Sequence, residues 1–236
     1  MTADPPIRIL VIAGSLREAS INRRLARLAA RLAPDGVETV ELDFLADVEP
    51  FDQDVEAHGF PPGAARFVEA IRDTDGVFIA TPEYNGSVPG QLKNALDWAS
   101  RSESLEGGLQ ASSLFGVPVA VASASTGQFG AVWARDELAK VLRTQGARPM
   151  HEPSVTVPDG RDAFNDDGTL RSSEAVERLR ELVQSLVDMV GTLRTARAAA
   201  ASASADRTHT ADRTRAASAD RTHTADRTRA ADAVQE

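Results

Sequence analysis

Apolar residues along the chain follow two periods that alternate. Residues 7–13 (IRILVIA) form a continuous apolar run rich in β-branched side chains, the pattern of a strand covered on both faces. From Asn22 to Ala33 the period changes. Leu25, Leu28, Ala29 and Leu32 recur at helical spacing, and Pro34-Asp35-Gly36 stops the helix. Further strands are predicted at 37–42, 76–81, 117–123 and 150–157, and further helices at 64–73, 90–100, 131–145 and 173–195. Phe67, Ala70 and Ile71 share one side of the second helix; Val176, Leu179, Val183, Leu186 and Val190 share one side of the last. Strict alternation predicts a three-layer α/β domain around a parallel sheet, because each crossover must return right-handed over the sheet.

The pattern stops near residue 197. From Arg197 to Glu236 the only apolar residue larger than alanine is Val234, and every aromatic lies at or before Phe164. The segment also repeats itself, ADRTHTADRTRAAS (Ala205 to Ser218) recurring as ADRTHTADRTRAAD (Ala219 to Asp232). Ordering these residues costs roughly 40–80 kcal/mol of backbone entropy, and alanine methyls offer little burial to offset it. The expected organisation is therefore a domain over 1–196 and a disordered, low-complexity tail over 197–236, with transient helix where Ala and Arg cluster. His209 and His223, isolated in that tail, make a weak metal site. A partner-binding arm is the functional alternative.

Composition narrows the class. The chain has 26 Lys plus Arg against 35 Asp plus Glu, a net charge of −9, which argues against nucleic acid as a partner. Cysteine is absent, so disulfides, thiolate metal sites and a Cys nucleophile are excluded, as suits a reducing compartment. MTADPPIRILVIAGS lacks the basic stretch and apolar core of a signal peptide, and no apolar run approaches the length of a membrane span. A soluble cytoplasmic protein is expected.

Ligands of such sheets sit beyond the carboxyl ends of the strands, and three loops there are rich in small polar residues. The first, Gly14 to Asn22, enters a helix whose unpartnered N–H groups and positive dipole end favour an anion. Ser15, Ser20, Asn22 and Arg17 add donors, making a phosphate cradle. It is neither a Walker loop nor G-x-G-x-x-G; its plain alternative is Ser20 as a cap and Arg17 as a solvated side chain. The second loop, Thr81 to Gly90, holds the chain's only tyrosine, Tyr84, between Glu83 and Asn85 and between Pro82 and Pro89. Amides freed by the prolines suit a flat heterocycle, unless the segment is only a stiff turn. In the third, Ser125, Thr126 and Gly127 could bring N–H groups to a ring edge. SASTG lacks the first glycine of a nucleophile elbow, and His58 and His151 are poorly placed for a triad. Asp52, Asp54 and Glu56, like Asp162, Asp166 and Asp167, lack EF-hand spacing.

GSLREASINRRLARLAA together with TPEYNGSVPGQLKNALDW resembles the NADPH-dependent FMN reductase family, a flavodoxin-like group that includes chromate, quinone and azo reductases. The resemblance spans about residues 6–195. It implies a five-stranded parallel sheet of order 2-1-3-4-5. It implies FMN as cofactor, with Ser15, Leu16, Arg17, Ser20, Ile21 and Asn22 at the phosphate. Pro82, Glu83, Tyr84, Asn85 and Gly86 would lie along the ribityl chain and ring, and Ser125, Thr126 and Gly127 near the pyrimidine edge. Gly86 departs from relatives that carry a larger residue, leaving space over the ring. The implied function is FMN-dependent transfer of hydride from NADPH or NADH to a quinone, azo compound, metal oxyanion or free flavin. No side chain is obliged to act as acid or base, because the flavin carries the chemistry. A homodimer or homotetramer is implied. The rival is a flavodoxin-type electron shuttle that binds FMN without oxidising NAD(P)H.

Overall fold

The computed structural model describes residues 5–101, 112–150 and 152–232, with the backbone alone over 204–232. The alternation read from the sequence gives β1 (Ile7–Ala13), α1 (Ile21–Arg31), β2 (Val37–Glu41), α2 (Gln53–Glu56), α3 (Pro62–Arg72), β3 (Gly76–Thr81), α4 (Gly90–Ala99), β4 (Pro118–Ala124), α5 (Val132–Thr144), β5 (Arg148–Met150), β6 (Thr156–Val157) and α6 (Ser173–Asp232). All strand pairs are parallel and the order is β2-β1-β3-β4-β5, as expected.

The sheet is buried on both faces because its strands alternate apolar residues between two cores. Leu10, Ile12, Val77, Ile79, Val119 and Val121 face α3, α4 and α5, where Phe67, Leu92, Leu96, Trp98, Leu138 and Leu142 close the layer. Ile9, Val11, Phe78, Ala80, Ala120 and Ala122 face α1 and α6, packing on Leu25, Leu28, Leu179, Leu182 and Leu186. β3 and β4 are buried along their whole length, which explains their unbroken apolar sequence. The Trp98 indole donates to the Glu49 carbonyl at 2.8 Å, so this fully buried ring leaves no donor unpaired.

Two features differ from the sequence expectation. The strand predicted at 150–157 is two short strands: β5 pairs with Pro118–Ala120 and β6 with Ser123–Ala124 at the other end of β4. Pro149 and Pro153 lack the N–H that a continuous ladder needs. Asp52 and Asp54, read as a solvated loop, start a helical turn, the Asp52 carboxylate accepting from the Asp54 N–H at 2.8 Å. The backbone of α6 continues as helix to Asp232, through 197–232. Alanine and arginine have high helix propensity, which favours that conformation without any packing. The chain divides into two compact units between Val190 and Gly191, a few residues before the compositional break. Among the described residues, no helix is long and apolar enough to cross a membrane.

Candidate functional site

Parallel crossovers bring the carboxyl ends of β1, β3 and β4 to one edge of the sheet, where the three polar loops leave it. The first loop turns sharply against the second. The Gly14 N–H donates to the Ala80 carbonyl at 2.9 Å, and a Cβ at Gly14 would stand 2.8 Å from Leu92 Cδ2, so a larger residue would have to displace the Leu92 side chain. Ser15 is buried and its hydroxyl lies 3.3 Å from the Tyr84 hydroxyl. Ser20 caps α1, accepting from the Asn22 N–H at 3.1 Å, while its own hydroxyl proton remains available. Among the described residues, the N–H groups of Ser15, Leu16, Glu18 and Ala19 have no acceptor. Arg17 is exposed, its guanidinium donating only to the Ala19 carbonyl at 3.2 Å.

Like α3, α4 and α5, α1 has no carboxylate in its first turn. Arg23 and Arg24 stand there, Arg24 donating to the Asn165 carbonyl and stacking on Phe164, and among the described residues no carboxylate from elsewhere accepts from its first N–H groups. By contrast, Glu49 accepts from the Gly63 and Ala64 N–H groups at the start of α3, and Glu83 accepts from the Ala134 N–H near the start of α5 at 3.1 Å. A positive helix end with free N–H groups, an exposed guanidinium and no carboxylate accepting from it suits a phosphate monoester.

Not every residue assigned from sequence faces that space. Asn22 is 1 % exposed. Its amide nitrogen donates to the Ala124 carbonyl at 2.9 Å and its oxygen accepts from the Ala124 N–H at 3.1 Å. It is a strut between α1 and the end of β4, because a buried amide must satisfy both its groups. Ile21 is half-buried against the α1–α6 core, whereas Leu16 is exposed. In the second loop, Tyr84 and Ser87 exchange both backbone bonds, at 3.1 and 3.2 Å. Between them Asn85 (φ 55°) and Gly86 (φ 75°) are both left-handed, the requirement of a type I′ turn. Tyr84 stands half-exposed on this small hairpin. Pro82 is buried beneath it, and Glu83 is spent on the α5 cap.

The second loop is held from behind by a residue the sequence reading missed. Glu137 accepts from the Ser87 hydroxyl at 2.6 Å and the Val88 N–H at 2.9 Å. These two bonds hold its carboxyl below the ordinary glutamate range, against the opposing effect of burial. Its sequence signal is slight, a single Glu on an amphipathic helix. The third loop is likewise buttressed by an unforeseen segment after β6. Ser125 donates its N–H to Val157 and accepts from the Gly160 N–H at 2.9 Å, and Gly127 accepts from Asp159. The Gly127 N–H is taken by the Ser125 hydroxyl at 3.2 Å. Of the three amides expected at a ring edge, that leaves Thr126 alone; Gln128 beside it is likewise without an acceptor among the described residues. Ser123 donates to the Gly130 carbonyl at 2.6 Å, holding the left-handed Gly130 and Ala131 that start α5. His58 is exposed, bonded to the Asp54 carbonyl; His151 lies outside the described residues.

Residues 7–162 match the profile of the NADPH-dependent FMN reductase family. The chain is similar to the NAD(P)H-dependent FMN reductase of Pseudomonas aeruginosa, 37 % identical over 188 residues that cover 80 % of this chain and 97 % of that protein. It is similar to a quinone reductase of Escherichia coli, 38 % identical over 148 residues, 62 % of this chain and 75 % of that one. In structure it is similar to FerB, a flavoenzyme NAD(P)H:(acceptor) oxidoreductase from Paracoccus denitrificans. That likeness has a TM-score of 0.69 at 31 % identity, covering 79 % of this chain and 98 % of FerB.

Two measurements check the loop architecture. Asn22→Ala strands the Ala124 backbone groups and is expected to cost about 1–3 kcal/mol in urea unfolding; a change below about 0.5 kcal/mol would deny the strut. Because the folded Glu137 titrates below its ordinary value of 4.5, its contribution is complete above that pH and is lost as pH falls through the lowered value. Glu137→Gln should therefore be less stable than the parent near neutral pH and converge with it in acid. Parallel stability–pH curves would show that the carboxylate adds nothing.

Proposed function

The chain belongs to the NADPH-dependent FMN reductase family, and we infer from its loops how it would hold the flavin and what it would reduce. The activity is FMN-dependent NAD(P)H oxidoreduction with a small-molecule electron acceptor. When bound, FMN supplies the redox chemistry, taking hydride from NAD(P)H and passing electrons to the acceptor. The protein's share is binding, orientation and electrostatics.

The observation that carries the reading is the first loop running into α1, where the N–H groups of Ser15, Leu16, Glu18 and Ala19 have no acceptor among the described residues. The N–H groups of the first loop, the Ser15 and Ser20 hydroxyls and Arg17 would hold the phosphate. Leu16 would cover it, while Ile21 and Asn22 act from beneath. Tyr84, with Asn85 and Gly86 at the hairpin tip, would flank the ribityl chain and ring, on a support made by Pro82 and Glu83. At the ring's polar edge, the Thr126 N–H is the donor left free, in a turn whose shape Ser125 and Gly127 hold.

The acceptor class that best fits is a quinone, with azo compounds, metal oxyanions and free flavin as alternatives. A quinone is what the Escherichia coli relative is named for. A cytoplasmic homodimer or homotetramer completes the reading; Leu16, 47 % exposed at the first loop, is a side chain that a second copy would cover.

Purified protein reconstituted with FMN should retain one flavin on gel filtration, and the flavin absorbance should bleach on anaerobic mixing with NADPH. Retention without bleaching would mark an electron shuttle, and failure to retain the flavin would overturn the assignment. Arg17→Ala should weaken FMN binding by about 1.5–3 kcal/mol, the worth of a charge-assisted hydrogen bond. Unaltered affinity at moderate salt would remove Arg17 from the phosphate site.

A further inference from the structure

Two large aromatic side chains stand in water beside the site with no role in the assignment above. Phe129 and Trp133 are each 54 % exposed. Their rings meet edge to face, centroids 5.0 Å apart at 62°. The contrast within the chain is informative, because its other tryptophan, Trp98, is fully buried and packs on Phe51 and Phe60. Scattered apolar side chains on a surface need no explanation, but paired rings at the mouth of a ligand site do.

The surrounding bonds fix where this pair lies. Phe129 belongs to the third loop. Trp133 opens α5 one turn before Glu137, so the two share a face of the helix, and Glu137 grips Ser87 and Val88 of the Tyr84 hairpin. The residue after Trp133, Ala134, donates its N–H to Glu83 on the other flank of the same hairpin. Tyr84, 51 % exposed, therefore stands across from the pair. At the hairpin tip, a Cβ added to Gly86 would meet nothing within 4 Å. Three exposed rings, from the second loop, the third loop and the first turn of α5, thus lie on segments that Glu83 and Glu137 tie together.

We propose that Phe129 and Trp133 form a stacking surface that seats a flat quinoid acceptor beside Tyr84, and that they favour such acceptors over small metal oxyanions. This rests on the reductase assignment. An aromatic wall rewards a planar ring with apolar contact and offset stacking. It offers an oxyanion neither charge nor hydrogen bonds, and the neighbouring carboxylates, Glu83 and Glu137, repel one. The pair selects by shape and takes no part in moving protons or electrons.

The test uses the FMN-loaded protein and two readouts. Without NADPH, titration with 1,4-naphthoquinone should saturably quench the exposed tryptophan emission. Trp133→Phe should remove that quenchable component and leave the buried Trp98 emission. In turnover, Phe129→Ala with Trp133→Ala should lower the ratio of kcat/KM for naphthoquinone to that for chromate by about two- to twelve-fold, the range expected for a lost aromatic pair, and Trp133→Phe should restore most of it. A holoprotein that never oxidises NADPH overturns both this proposal and the assignment beneath it. One that does, with a ratio unmoved by the double variant and no saturable quenching, overturns the stacking surface alone. Emission typical of a buried indole at Trp133, with the double variant dissociating to smaller species, also overturns it, because a second copy would then cover the rings.

Discussion

The loops at the sheet edge work as one site only if their backbones are held in mutual register, and the Asn22 amide does much of that holding. Its two bonds to Ala124 join residues 102 positions apart, in a place too buried for water to compete. They couple the start of α1, and with it the first loop, to the point where the third loop leaves β4. A carboxylate in that position could not serve the C=O, and a hydroxyl would have to serve both groups from one atom, whereas a primary amide presents a donor and an acceptor side by side. Donors of the first and third loops thereby belong to one rigid frame, which reduces the ordering that a bound cofactor would otherwise have to supply.

Carboxylates complete the frame, and where they are absent matters as much as where they are. Glu49 satisfies the start of α3 and Glu83 that of α5, while Glu137 reaches from α5 to secure the far side of the Tyr84 hairpin. Each neutralises a cluster of N–H groups and, in doing so, fixes a loop. Only at α1, among these helix ends, is the anion missing and the local charge positive. In a chain of net charge −9 the distinction is local and short-ranged. Screening removes most of the distant repulsion at physiological salt, so a phosphate responds chiefly to the donors within its first few ångströms.

Much of this was legible in the sequence because it rests on periodicity and on turn chemistry. The continuous run at 7–13 reads as a doubly covered strand and 76–81 as a strand, and β1 and β3 occupy those residues. The second loop offered a stiff turn only as its plain alternative, and Asn85-Gly86 supply its left-handed pair. What stayed hidden are contacts between residues far apart in the chain. Asn22 reads as a donor in a polar loop until β4 is placed beside it. Glu83 reads as a ligand contact until the first N–H groups of α5 arrive over it. The buttress from 157–160 depends on β6 being separate from β5, and the broken last strand was masked by an apolar run that two prolines interrupt.

The division between fixed and open parts also suits a site whose cofactor would carry the reactivity. Side chains that touch the loops from behind are buried and fully bonded, whereas those that reach the open side, Arg17, Tyr84, Phe129 and Trp133, are exposed and carry little internal bonding. A redox cofactor that brings its own reactivity asks the protein for a firm seat on one side and an accessible face on the other. Tight enclosure would bar the alternating entry of a reductant and an acceptor of different shapes. An exposed aromatic rim around a bonded frame meets both demands, since stacking tolerates variety in a flat partner while the seat beneath remains still.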